Sequence, residues 1–151
     1  MKRAVLDTNI WLDWLVFDNA EMAPLKAARS AGRLSLTINP ACLAELARVL
    51  AYPLGRFTLD SAARDRARAA CLACACLESP AAGTLPLPLC RDTDDQKFLE
   101  LTRDCGARWL ITRDRDLLML ARSRALPLPF RIATPQAFAA ALREPAPNEP
   151  A

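Results

Sequence analysis

The chain contains no histidine, only four glycines, and no apolar run of membrane length. The missing histidine weakens any zinc reading of Cys71, Cys74 and Cys76. These cysteines fall in an Ala-rich run read as helical with no fourth ligand nearby, so buried small apolar side chains are the better account. Cys42, Cys90 and Cys105 are read in the same way. The scarce glycines exclude a nucleotide-binding module that needs a Gly-rich turn after its first strand, because no glycine falls there. The longest uncharged stretch, Ser79 to Cys90, carries three prolines, well short of the roughly 20 apolar residues of a membrane helix. A soluble protein with no membrane partner is expected. The N-terminus enters a strand at once without a signal-peptide pattern, which predicts a cytoplasmic location and reduced thiols.

What is present describes an ordinary globular chain. Its 151 residues are 52% hydrophobic and 25% charged, enough for one domain with a core of its own. Twenty Lys and Arg against 17 Asp and Glu leave a net charge of +3, which permits a polyanionic partner without requiring one. One domain over residues 1–143 is expected, followed by a disordered Pro-rich tail at 144–151.

The chain is organised around Ala4-Val5-Leu6-Asp7-Thr8-Asn9. Three apolar residues read as a strand buried on both faces, and Asp7 sits at its carboxyl end, where open α/β sheets bind ligands. The bland alternative makes Asp7 or Asn9 a helix cap. A short helix then carries Trp11 and Trp14, read as core residues, although tryptophans so near a site could also stack on bases. A second helix runs from about Ala20 to Ala31. Leu34 to Asn39 is a strand, and Ala41 to Leu50 a helix with Glu45 off its apolar stripe. Thr58 to Leu77 reads as the longest helix, with Arg64, Arg66 and Arg68 on a face that is solvated or touches a phosphate backbone. A connection with one short strand around Leu85 to Leu89 leads to Asp92, Asp94 and Asp95 at the start of the next helix. Trp109 to Thr112 repeats the buried-strand pattern and ends on Arg113-Asp114-Arg115-Asp116. A helix from Leu117 to about Arg124, a strand at Phe130 to Ala133 and a helix opened by Thr134-Pro135 complete the chain.

Alternating strands and helices imply parallel strands joined by crossovers, so every strand's carboxyl end falls on one edge. Asp7 and Asp114 each follow a buried strand and must share that edge. Glu45 and Asp95 lie near the starts of helices that begin there. Four carboxylates within about 4 to 6 Å of one another repel by a few kcal/mol per close pair. Without histidine, the compensation is protonation of some acids or a hard divalent cation, and oxygen-only ligands suit Mg²⁺ or Mn²⁺. Such a site performs phosphoryl transfer or phosphodiester cleavage.

Four segments in order then carry a family likeness: Val-Leu-Asp-Thr-Asn at 5–9, Leu43-Ala44-Glu45-Leu46 with Val49-Leu50 and Tyr52-Pro53, Arg91 to Leu99, and Leu110 to Leu118. Together they resemble the PIN-domain nucleases over about residues 3–142, nearest the bacterial branch described as toxin components of toxin–antitoxin systems. The resemblance implies a three-layer α/β/α fold with a central parallel sheet of about five strands flanked by helices. It assigns the catalytic, metal-binding acids to Asp7, Glu45, Asp95 and Asp114, with Asp116 reaching the metal or supporting it. Asp92 and Asp94 are left to cap the turn. Asn9 and Thr112 match the polar residues that orient the acids, and Thr8 would bond the turn backbone. Arg113 and Arg115 would hold substrate phosphates or balance surface charge. The implied activity is Mg²⁺- or Mn²⁺-dependent endoribonuclease cleavage leaving a 5′-phosphate, in a homodimer restrained by a cognate antitoxin.

Three other classes fit poorly. An aspartyl phosphatase needs an acid at the position of Asn9. A phosphoacceptor receiver domain needs a lysine where Thr112-Arg113 stands. The nucleotide-binding module fails on glycine. The remaining rival is a PIN fold that no longer cleaves and serves as an RNA-binding or assembly module.

Overall fold

A computed structural model describes residues 1–123 and 127–144. β1 (Lys2–Leu6) leads into α1 (Thr8–Leu15), and α2 (Ala23–Ser30) follows after a single 3₁₀ turn. Next come β2 (Leu34–Ile38), α3 (Pro40–Leu50), α4 (Ser61–Cys74) and β3 (Ala75–Leu77). A second 3₁₀ turn (Thr93–Asp95) opens α5 (Gln96–Asp104), and β4 (Trp109–Ile111), α6 (Arg115–Leu120), β5 (Arg131–Ala133) and α7 (Pro135–Arg143) complete the described elements.

The five strands form one all-parallel sheet in the order β3-β2-β1-β4-β5. Ala4, Val5 and Leu6 are each at most 1% exposed, as a central strand covered by helices on both faces requires. α5 packs over β1 and β4, while α2 and α7 pack on each other and on β2 and β5 respectively. The result is a three-layer α/β/α fold. The chain leaves β1 towards β2 and β3, then returns to β4 on the other side. The gap between β1 and β4 is therefore the topological switch point, the place where such sheets open a crevice.

Local chemistry sets the boundaries. Asn39 caps α3 through Cys42 N–H at 2.8 Å, Asp60 caps α4 through Ala63 N–H at 2.7 Å, and Thr134 caps α7 with Pro135 in its first turn. Trp11 and Trp14 are core residues, 1% and 8% exposed. Among the described residues no helix is long and apolar enough to cross a membrane.

Some expectations change. The long helix stops at Cys74, and Ala75–Leu77 pairs as a strand with Leu36–Ile38 instead. Leu85–Leu89 is not a strand; the fifth strand is β3. Ala, Cys and Leu carry no strong preference for a strand, so a free place beside β2 overrides their helical reading. Consequently Cys76, read as buried, is exposed on the edge strand, whereas Cys42, Cys71, Cys90 and Cys105 are buried. The helix expected from Leu117 to about Arg124 starts earlier, at Arg115, and ends at Leu120; Arg124 itself and residues 145–151 of the expected tail lie outside the described residues.

Candidate functional site

Asp7 and Thr112 are the first residues past the paired ends of β1 and β4, where Leu6 lies beside Ile111. Asp7 is 5% exposed and does cap α1, accepting Ile10 N–H on Oδ1 at 2.9 Å. Its Oδ2 accepts a hydrogen bond from the buried Thr112 hydroxyl. That hydroxyl also receives Asp114 N–H at 2.9 Å, and Asp114 caps α6 through Leu117 N–H at 3.1 Å. The cap and site readings of Asp7 are therefore not exclusive: capping with one oxygen rigidifies the other.

Asp7, Glu45, Asp95 and Asp114 line one cavity of about 190 Å³, together with Thr8, Asn9, Val49 and Phe98. Glu45 comes from the second turn of α3. Asp95 closes the 3₁₀ turn before α5, and no backbone N–H caps onto its carboxylate. Burial pushes Asp7 up from its ordinary 3.8 to about 6, against the pull of the Thr112 and Ile10 hydrogen bonds. Burial likewise raises Asp95 to about 6, reinforced by the charges of Asp114, Asp92, Asp7 and Glu45.

Several expected roles are redistributed. Thr8 does not bond the turn backbone; its hydroxyl donates to Glu45. Asn9 is exposed on the cavity wall. Asp92 caps its turn through Asp94 N–H at 2.9 Å, while Asp94 offers its carbonyl to Lys97 Nζ at 2.6 Å. Asp116 sits in the first turn of α6, outside the cavity lining. Arg115 is exposed. Arg113 is not directed to a phosphate here: its guanidinium donates to both Asp13 and Glu21, tying the turn after β4 to α1 and the first 3₁₀ turn.

Lys97 was not anticipated. Its Nζ donates to Glu45 Oε1 at 2.6 Å and lies 5.3 Å from the Phe98 ring centroid. A signal existed: a lysine at the second position of a helix opposes the helix dipole, so it needs a local anion to explain it.

The donor set fits a hard divalent cation, because all four ionisable groups lining the cavity present oxygen and no thiol or imidazole lines it. Among the described residues, however, no three acids or thiols already stand as a ready-made metal set. A larger groove of about 550 Å³ along β5 and α7 has a mostly apolar lining with Glu144 as its one carboxylate, so it does not share this chemistry.

A doubly covered parallel sheet with carboxylates gathered at its switch point defines an α/β protein with an acidic cleft. The family model described as PIN domain matches residues 3–116, and the chain belongs to the PIN-domain family, whose members are generally nucleases. No curated protein matches the chain.

Proposed function

We propose that the chain is a metal-dependent endoribonuclease whose site is the cleft of Asp7, Glu45, Asp95 and Asp114. The observation that supports this reading is that these four carboxylates, from four separate segments, line one cavity and leave Asp7 and Asp95 with pKa values raised to about 6. Asp7, Glu45, Asp95 and Asp114, supported by Asp116, would hold Mg²⁺ or Mn²⁺. Such an ion neutralises a phosphate's charge and lowers the pKa of water.

The chain's own residues supply position. Thr112 and Ile10 N–H hold both oxygens of Asp7, Leu117 N–H holds Asp114, and Thr8 with Lys97 holds Glu45. Arg115, exposed beside Asp114, is available to a substrate phosphate. RNA affinity from so mild a basic balance rests on few contacts and falls steeply with salt. We further propose the finer biology: residues 1–143 form the nuclease domain of a cytoplasmic toxin, homodimeric and restrained by a cognate antitoxin.

The runner-up, a non-catalytic RNA-binding or assembly module, is favoured by one observation: Lys97 and Thr8 already occupy Glu45. Incubating purified protein with mixed RNA and Mn²⁺ or Mg²⁺ separates the two. The nuclease reading expects cleavage that EDTA stops and Asp7→Asn abolishes. Cleavage no greater than that of folded Asp7→Asn would leave only the module. A small antitoxin-like reading frame beside the gene, and a dimer in light scattering, test the toxin reading separately.

A further inference from the structure

Three aromatic side chains are exposed among the described residues, Phe17 at 38% just after α1, and Tyr52 at 54% and Phe57 at 46% just after α3. Isolated exposed aromatics are ordinary surface features. Tyr52 is connected to the acid cleft by a continuous helical stripe. Glu45 and Val49 line the cavity, and Arg48 reaches back to Glu45 at 3.8 Å with its own side chain 62% exposed. The helical turn continues past α3, because Tyr52 N–H donates to Val49 O at 3.0 Å. Positions 45, 48, 49 and 52 therefore share one face. At 1.5 Å per residue, Tyr52 stands about 10 Å along the helix from Glu45.

Beyond Tyr52 the chain makes a tight hairpin. Leu54 and Phe57 exchange N–H···O bonds of 2.7 and 3.0 Å, and Gly55 supplies the left-handed turn at φ 61°. Leu54 is buried and anchors the hairpin, so Arg56 and Phe57 are held outward. Phe57 rests one side on Phe17, with ring centroids 5.6 Å apart. The nearby acids are committed elsewhere: Asp60 caps α4, and Asp18 pairs with Lys26 at 3.3 Å. Among the described residues nothing bonds the Tyr52 hydroxyl or the Arg56 guanidinium.

We propose that the outer face of α3 from the acid cleft to Tyr52, continued by the Arg56–Phe57 hairpin, is the track on which a single-stranded RNA segment beside the cleaved phosphate lies. This rests on the nuclease reading and specifies its substrate. Arg48 and Arg56 contact the backbone, and Tyr52 and Phe57 stack on bases. Stacking is sequence-tolerant because every base has a π-face, so the track selects unpaired RNA and not a particular sequence. A duplex keeps its bases stacked on one another and offers Tyr52 no face. RNA is preferred to a protein partner because the stripe begins inside the acid cleft and Arg56, the charge along it with no ion pair among the described residues, is cationic.

The test is a titration of a short, unstructured, dye-labelled oligoribonucleotide in EDTA against wild type, Tyr52→Ala, Tyr52→Phe and Arg56→Ala. Tyr52 is the only tyrosine, so ¹³C-tyrosine labelling gives one NMR signal that reports on its ring. Losing one stacked base weakens binding about 5- to 100-fold, and that loss is expected for Tyr52→Ala. Tyr52→Phe is expected to retain affinity, and the tyrosine signal to shift with RNA but not with a duplex of the same sequence. In cleavage assays Tyr52→Ala is expected to raise KM and leave kcat unchanged. Equal binding by wild type and Tyr52→Ala with an unmoved signal would overturn the track, as would no binding by wild type. So would a change of oligomeric state in Tyr52→Ala, which would assign the face to a protein contact. If the nuclease reading alone fails, RNA still shifts the tyrosine signal and no metal-dependent cleavage is seen.

Discussion

The hydroxyl of Thr112 donates to Oδ2 of Asp7 across the switch point, joining the ends of β4 and β1 at residues 105 positions apart in the chain. The Thr112 hydroxyl oxygen in turn receives Asp114 N–H, so one buried hydroxyl sets two of the four acids. Thr112→Val keeps the shape and removes both bonds. A loss of about 1–3 kcal/mol is expected from the stranded polar groups, measured by urea denaturation, together with reduced metal-dependent cleavage. Thr112→Ser should restore most of both; a valine variant as stable and active as wild type would show the bond to be incidental.

The part of the metal-free protein's stability that depends on Asp7 should fall as pH rises. Asp7 binds its proton more tightly folded, at about 6, than at the ordinary 3.8 of an unfolded chain. Its contribution is therefore fully present below pH 3.8 and is lost as pH climbs through about 6. Each pKa unit corresponds to about 1.4 kcal/mol, so the loss by neutral pH is at most about 3 kcal/mol. Asp95, also raised to about 6, adds a slope of the same sign. In EDTA the urea midpoint of wild type should drop relative to that of Asp7→Asn as pH rises from acid to neutral. Parallel curves for the two proteins would contradict this.

Lys97 is the nearer of two cations beside Glu45, the other being Arg48 at 3.8 Å. The Lys97–Glu45 pair is 2.6 Å apart with side chains only 23% and 11% exposed. Lys97→Met should cost the metal-free protein about 1–3 kcal/mol, since the largely desolvated carboxylate keeps only the more distant Arg48 and the Thr8 hydroxyl. Added Mn²⁺ should restore more thermal stability to the variant than to wild type. A Mn²⁺-induced shift in melting temperature no larger than that of wild type would separate Lys97 from the cation's role.

Arg113 should prove a clamp. It bridges Asp13, which is 9% exposed, and Glu21, which also accepts from Gln136 at 2.8 Å. Arg113→Ala leaves Asp13 nearly buried and unpaired, and a loss of about 2–4 kcal/mol is expected, partly recovered in Arg113→Ala/Asp13→Asn. Cleavage well below the melting temperature should keep its KM. A raised KM at unchanged stability would instead return Arg113 to the substrate.

Much of the fold was legible because burial patterns are local. Ala4–Leu6 and Trp109–Ile111 read as doubly buried strands, and the rule that parallel strands share a carboxyl edge brought Asp7 and Asp114 together before any coordinate. Glu45 and Asp95 followed from helix starts. Ala75–Leu77 was not legible, because a three-residue edge strand is defined by the partner it pairs with. The partners of Lys97 and Arg113 were not legible for a related reason. A cation's role depends on which anion lies within reach, and Glu45, Asp13 and Glu21 are 52, 100 and 92 residues away from their partners.

Sequence by itself determined the class of protein and the four acids that share an edge, since hydrophobic period and strand direction follow from the order of residues. Tertiary structure alone decided how those acids are held: Thr112 on Asp7, Thr8 and Lys97 on Glu45, Arg113 drawn away, and Tyr52 left facing solvent beyond the cleft. Hydrogen bonds and ion pairs act over a few ångströms, and only the folded chain brings distant residues that close.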